Sequence, residues 1–393
     1  MTKGLKHKFN ALLSDKSLTI RALEAVMKTL LNTFLCLALL SACNEQSPSK
    51  RSVASVSVNA SQPAVEQGEV WGSQETQMMQ SIAQIFHDTL IESTGNDEIM
   101  RRDAHPKHHG CVKSELTIDN KNLPNELKVG LFKENNTYAG LVRFSNGDPD
   151  FRKADIEKDI RGMAMKFFDV PSENYLQDIG VEEGSNVHDF VFMNADSFFI
   201  PNPKAYEKFM RSTQGRFGVL GYLAFHWRTL GSILKSRVKI ANPLDIDFAS
   251  ATPYKLGPTS MKMKMVSCKE TKDFIPVNPS HDFLGEALEN TLSQTEGCFD
   301  FYVQPNKDPK KNDIENAMID WDTSKSPMIH VGKLKVNKQS GFRIEEQMSY
   351  CENLTFNPWR APKENRPLGG VNRIRLEVYL NQSKLRHEYN GIK

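Results

Sequence analysis

The sequence predicts an α+β fold, a curved antiparallel sheet with helices packed outside it. Three observations carry this. Apolar side chains alternate with period two in VKSELTID, AGLVRFS and GMAMKFFDV from about residue 111 onward. Strand-like runs return in MKMKMVSC, CFDFYVQP and IHVGKLKVN. Helical spacing fills the stretches before, between and after them, an alternation that suits an antiparallel sheet with outer helices. At 393 residues and 39% hydrophobic content, the chain has material for one large core or two small ones. It shows no internal repeat.

Taken in order, residues 28 to 43, KTLLNTFLCLALLSAC, place a lysine before an apolar run closed by Leu40, Ser41, Ala42 and Cys43, the layout of an export signal. The run is too short to span a bilayer as a stable helix. Leu-Ser-Ala-Cys resembles the bacterial lipoprotein signal, which implies a mature chain beginning at a lipidated Cys43. A plain signal peptide is the alternative. Asn44 after the cysteine implies, by the same resemblance, the periplasmic face of the outer membrane. Residues 1–43 therefore read as the signal region. Residues 44–75, rich in Ser, Gln, Asn and Pro at their start, read as a flexible linker. The folded domain is expected over 76–393. It opens with a helix in SQETQMMQSIAQIFHDTLIEST, turns to strands, returns to helix between 204 and 238, and ends on a helix after the later strands.

The 50 basic and 48 acidic residues are spread along the chain, giving a net charge of +2 and no basic patch that suggests nucleic acid. Of six cysteines, Cys36 falls in the signal and Cys43 carries the expected lipid. Cys111, Cys268, Cys298 and Cys351 remain, with three possible pairings, and buried free thiols are the expected state for most of them.

The chemistry is concentrated in NRIRLEVYLNQSKLRHEYNG. A four-residue step sets Arg375 beside Tyr379, and a seven-residue step returns Arg386 to within about 20° of Tyr379 on a helix. A phenol flanked by guanidiniums is a plausible phenolate ligand for ferric iron. Further segments accompany it. Arg102 precedes His105 by three residues in RRDAHPKHHG, LVRFSNGDPD carries Arg143 and Ser145, DIRGMAMKFF follows, and VFMNADSFFIPNP sets Asn194 just before Phe198 and Phe199.

These pieces, in this order, resemble the haem catalase family over about residues 76 to 390. The likeness is greatest in the RFS, RGMAMKF and Arg-x-x-x-Tyr segments, and least from about 205 to 265. It implies a catalase-like antiparallel β-barrel core with surrounding helices, and haem b as cofactor. Tyr379 is then the axial ligand to the haem iron, with Arg375 holding its phenol ionised. Arg102, Arg143 and Arg386 stand at the positions that neutralise the two propionates. His105 is the distal base, with His109 in reserve, Ser145 fixes its tautomer, and Asn194 donates to peroxide. Phe198, Phe199 and Tyr206 are candidates for the apolar wall, although aromatics in such runs are also ordinary core.

His105, His108, His109 and Cys111 can alternatively be read as zinc ligands, but no second ligand pair accompanies them and adjacent histidines in an extended segment point apart. HHGCVKSE replaces the glycine-rich stretch that follows the family's distal histidine, so the entrance to the pocket is expected to differ. The expected function is haem-dependent processing of hydrogen peroxide. A lipid or other organic hydroperoxide is the alternative substrate, as in compact catalase-like haem proteins, and a non-catalytic haem-binding lipoprotein is the third reading. The sequence does not set the oligomeric state, a homo-oligomer included.

Overall fold

The computed structural model describes residues 65–171, 174–176 and 186–392. The signal region, Cys36 and Cys43 lie outside them. Strands β1 (His108–Ile118), β2 (Asn136–Asn146), β3 (Arg161–Phe167) and β4 (His188–Met193) form one antiparallel meander. A second runs through β7 (Thr259–Ser267), β8 (Gly297–Pro305) and β9 (Ile329–Val336). β9 pairs with β1, and the short β5 (Phe248–Ala249) bridges β4 to β7. Eight strands thereby close into a barrel, and β6 (Tyr254–Leu256) is hairpinned onto β7 outside the ring. Closure leaves the ring without an open edge.

The period-two pattern sets what each side of the barrel carries. Phe144, Met163, Met165, Phe190 and Phe192 from the first meander meet Met263, Met265, Phe299 and Phe301 from the second in one buried cluster. The interior is therefore packed solid with side chains, and the intervening residues face outward. There the register sets Ser145, Gly162 and Met193 in one row and Arg143, Ala164 and Val191 in the next. These two rows form the floor of the candidate site.

Helices pack outside the barrel. Among the described residues they are α1 (Glu75–Thr94), α2 (Pro203–Thr213), α3 (Gly218–Phe225), α4 (Trp227–Ser236), α5 (Phe283–Gln294), α6 (Glu345–Asn353) and α7 (Gly370–Asn390). None is long and apolar enough to cross a membrane. α2 begins where the Asn202 side chain accepts from the Ala205 N–H ahead of a first-turn proline, and α7 stops at Gly391, whose φ of 69° is a left-handed cap. Met79, Ile82 and Phe86 of α1, Tyr206 of α2, and Ile374 and Val378 of α7 share a second apolar cluster. Each such side chain contributes about 1.5–3 kcal/mol on full burial. α5 and α6 are elements the sequence reading did not assign.

α6 is joined to β1 by a disulfide between Cys351 and Cys111, and a second joins Cys268 to Cys298 at the ends of β7 and β8. The expectation of buried thiols is thus corrected. Strand pairing and the packing of α6 bring the Cα atoms to 5.4 and 5.5 Å, the spacing that a bridge requires. Disulfides are consistent with a compartment outside the cytoplasm.

The stretch 65–75, read from composition as part of a tether, is also packed. Glu69 and Glu75 are buried against Arg373 of α7 at 2.9 and 2.5 Å, and Glu315 joins at 2.9 Å. Arg366 adds a 2.8 Å pair to Glu69. Three carboxylates converging on one guanidinium tie the N-terminal arm to the first turn of α7, which composition alone does not reveal.

Candidate active site

The candidate site gathers His105, Tyr379, Arg375 and Met193, each only partly buried, with Arg375 near enough to His105 to depress its pKa. His105 enters it from the segment before β1 with a left-handed backbone, φ 59°, held by Arg143 Nη2 donating to its carbonyl at 2.8 Å. That conformation is uncommon for a non-glycine residue, and histidine tolerates it better than most. The ring packs against Gly162. A Cβ there would stand 2.5 Å from His105 Nδ1 and 2.8 Å from Ser145 Oγ, so only glycine leaves room for the imidazole. Nδ1 is 3.1 Å from Ser145 Oγ. With Nδ1–H donating to that hydroxyl, Nε2 is left as the acceptor. Burial, with Arg143, Arg102 and Arg375 nearby, lowers the His105 pKa to about 4, so the ring is neutral at pH 7.

On α7, Arg375 Nη2 donates to Tyr379 Oη at 3.2 Å. Burial opposes the Arg375 charge, yet Tyr379 and Tyr254 more than compensate and raise its pKa above the ordinary guanidinium value. Tyr206 stands close enough to be influenced by both Tyr379 and Arg375, and burial raises its own pKa. Phe198 contacts Phe199 and Tyr206 at ring-centroid distances of 4.5 and 5.8 Å, and both phenylalanines pack against the apolar cluster of α1, α2 and α7.

Arg386 is not the second guanidinium on the Tyr379 phenol. It donates to the Glu352 carbonyl and, at 3.2 Å, to the Leu354 carbonyl. Arg102 donates to the same two carbonyls, at 2.9 Å to that of Glu352. Both arginines thus serve the C-terminal end of α6, where unpaired carbonyls and the helix dipole favour cations. The Glu352 carboxylate lies 3.1 Å from Arg102, 3.8 Å from Arg386, 3.9 Å from Arg143 and 3.5 Å from His108. Three guanidiniums thus gather round one carboxylate. Arg143 Nε is buried with no hydrogen-bond partner.

Two expected roles do not match this geometry. The Asn194 amide does not face His105: its Oδ1 accepts from Arg161 N at 2.7 Å and its Nδ2 donates to Ser236 O at 2.9 Å, so it closes the end of β3 instead. The row position beside Gly162 belongs to Met193. His109 is separated from the site as well, buried with Nε2 3.1 Å from Asn146 Oδ1 and Nδ1 3.9 Å from Asp155. His108 lies near Glu352 instead, and Cys111 is in a disulfide, so the four candidate ligands of HPKHHGC are divided among four environments.

The sequence reading missed four residues here. Gly162 and Met193 become meaningful only through strand register, and Glu352 sits far from the arginines in sequence. Asp103, an acid inside RRDAH, was a visible signal. It is largely buried beside Tyr206, and burial pushes its pKa up to about 6.

No family model matches the chain, and no curated protein does either. Solved structures do. A fungal catalase aligns with a TM-score of 0.58 at 17% identity, over 88% of this chain and 71% of that one. Catalase A from Saccharomyces cerevisiae gives 0.58 at 16%, over 88% and 73%, and a bacterial catalase gives 0.56 at 16%, over 90% and 70%. At this identity the likeness establishes the catalase-like fold.

Proposed function

We propose that this chain binds haem b between His105 and Tyr379 and processes hydroperoxides as a catalase- or peroxidase-like enzyme. The observation that carries the proposal is the pairing of a neutral, oriented base with an arginine-bound phenol. The donor set fits the cofactor. Tyr379 would supply an anionic oxygen to iron, and the cluster of Arg102, Arg143 and Arg386 would face the haem propionates. The orphaned Arg143 Nε is a buried donor of the kind a carboxylate would satisfy. Bound haem would supply the redox chemistry of O–O cleavage.

The protein's own part is proton handling. His105 Nε2 takes the proton from one peroxide oxygen and returns it to the leaving oxygen, while Ser145 and Gly162 hold the ring in place. Met193 favours a second reading of the substrate. A thioether cannot donate a hydrogen bond to a small peroxide, and it gives the distal wall an apolar surface suited to an organic or lipid hydroperoxide. We further propose export as a lipoprotein anchored through Cys43.

Absorbance spectroscopy of haem-loaded protein tests the cofactor: a high-spin tyrosinate spectrum lost in Tyr379→Phe supports the site. Stopped-flow mixing with hydrogen peroxide and with a fatty-acid hydroperoxide tests the chemistry. His105→Ala should slow consumption by about a hundredfold. If fully loaded protein leaves both substrates intact, the reading reduces to a haem-binding scaffold.

A further inference from the structure

We infer that α3 and α4 form a docking face for an anionic lipid surface. The inference rests on these helices alone and is independent of the haem proposal. A surface helix normally turns its apolar stripe inward and its polar stripe to water. α4 does the reverse. Thr229 and Ser236, seven residues apart on one face, are buried. Trp227 and Leu234, also seven apart and about 200° round the helix from them, are 74% and 44% exposed. The inward face is too small and polar to act as a hydrophobic anchor. Ser236 instead receives the Asn194 amide through its carbonyl, so α4 is fixed to the end of β4 by hydrogen bonding.

α3 extends the same surface. A single residue, His226, joins it to α4, and Phe217 and Phe225 at its two ends are 68% and 87% exposed. Two phenylalanines, a tryptophan and a leucine therefore project from consecutive short helices. Charge decides among the occupants. From Lys208 to Leu244 the sequence has seven lysines and arginines and no carboxylate, although the whole chain is almost neutral. Arg216, Arg228 and Lys235 within this stretch are exposed. Exposed aromatics flanked by cations, on two helices that carry no carboxylate, match the interface of a bilayer with anionic headgroups. A second copy of the same face would bring like charges together, which weighs against self-association there.

Trp227 is a local reporter, which matters because a lipid on Cys43 would carry any variant to vesicles. The full chain is mixed with vesicles of phosphatidylglycerol and phosphatidylethanolamine whose acyl chains are brominated, and Trp227→Phe serves as the blank. The emission difference between the two proteins should fall by more than half. Arg228→Glu with Lys235→Glu should return the quenching to the level seen on neutral phosphatidylcholine. The substituted side chains are solvent-exposed, so circular dichroism is expected to be unchanged. If Trp227 stays unquenched while the chain sediments with vesicles, the inference is wrong. It is equally wrong if Phe225→Ser with Leu234→Ser converts a dimer to a monomer in sedimentation and Trp227 is unquenched, which would make this face an interface between copies.

Discussion

Gly162→Ala tests whether contact with the barrel floor positions His105. Gly162 lies in a regular strand without a positive φ, so alanine is acceptable to the backbone and the cost comes from space alone. The new methyl would lie 2.5 Å from His105 Nδ1 and 2.7 Å from Cε1, whereas carbon contacts are comfortable at about 3.5–4.0 Å. The ring must retreat by about 1 Å. Overpacking of this kind costs about 1–3 kcal/mol, and losing the Ser145 hydrogen bond adds about 0.5–1.5 kcal/mol. Reduced chain entropy in the unfolded state returns only about 0.4–1 kcal/mol, so the net effect is destabilising by about 0.5–4 kcal/mol. Urea unfolding should show a lower midpoint at an unchanged slope, and the His105 imidazole signals in histidine-labelled protein should shift. Under the proposed function, displacing the base by about 1 Å lowers hydroperoxide turnover by about a hundredfold. An unaltered midpoint together with unmoved His105 signals would refute the reasoning.

Arg373→Ala should destabilise the protein by about 3–5 kcal/mol by leaving Glu75 buried without its guanidinium and Glu69 with Arg366 alone, with protease cleavage before residue 75 as a second readout. Cys351→Ser should cost about 2–5 kcal/mol, and more than Cys298→Ser, because its bridge closes a separation of 240 residues against 30; equal urea midpoints for the two would contradict this. Stability should fall as pH drops from about 6.5 toward 4. His105 and His109 have pKa values lowered to about 4, and His188 to about 3, so in that window the unfolded chain binds protons that the folded chain does not. Each contributes a slope of about 1 kcal/mol per pH unit. Asp103, raised to about 6, binds its proton on folding and offsets about one of them, and a flat urea midpoint between pH 6.5 and 4.5 would overturn the assignment.

Most of the barrel was legible because its strands obey period two, and α1 and α7 because their apolar spacing is helical. His105 with Ser145, and Arg375 with Tyr379, were legible as local spacings or motif partners. What escaped depends on pairing across distance. Whether Met193 or Asn194 faces the site is a one-residue matter of strand parity, since successive side chains on a strand point to opposite faces. Arg386 was assigned to Tyr379 from helical angle, but a long side chain follows charge, and Glu352 with two carbonyls lay within its reach. The arm clamp was hidden because composition describes solubility and cannot show that two glutamates have a buried arginine to meet.

The closing of the barrel and the placement of α7 also determine when the site can exist. Its floor is drawn from the first meander, its arginine cluster needs α6, and its phenol belongs to the last described helix. A ribosome therefore releases the base and its strands long before the facing wall has been made. Contacts of such long range form late and slowly. Any cofactor that the proposed site accepts would be captured near the end of folding, once α6 has come close enough to β1 for the Cys111–Cys351 bridge.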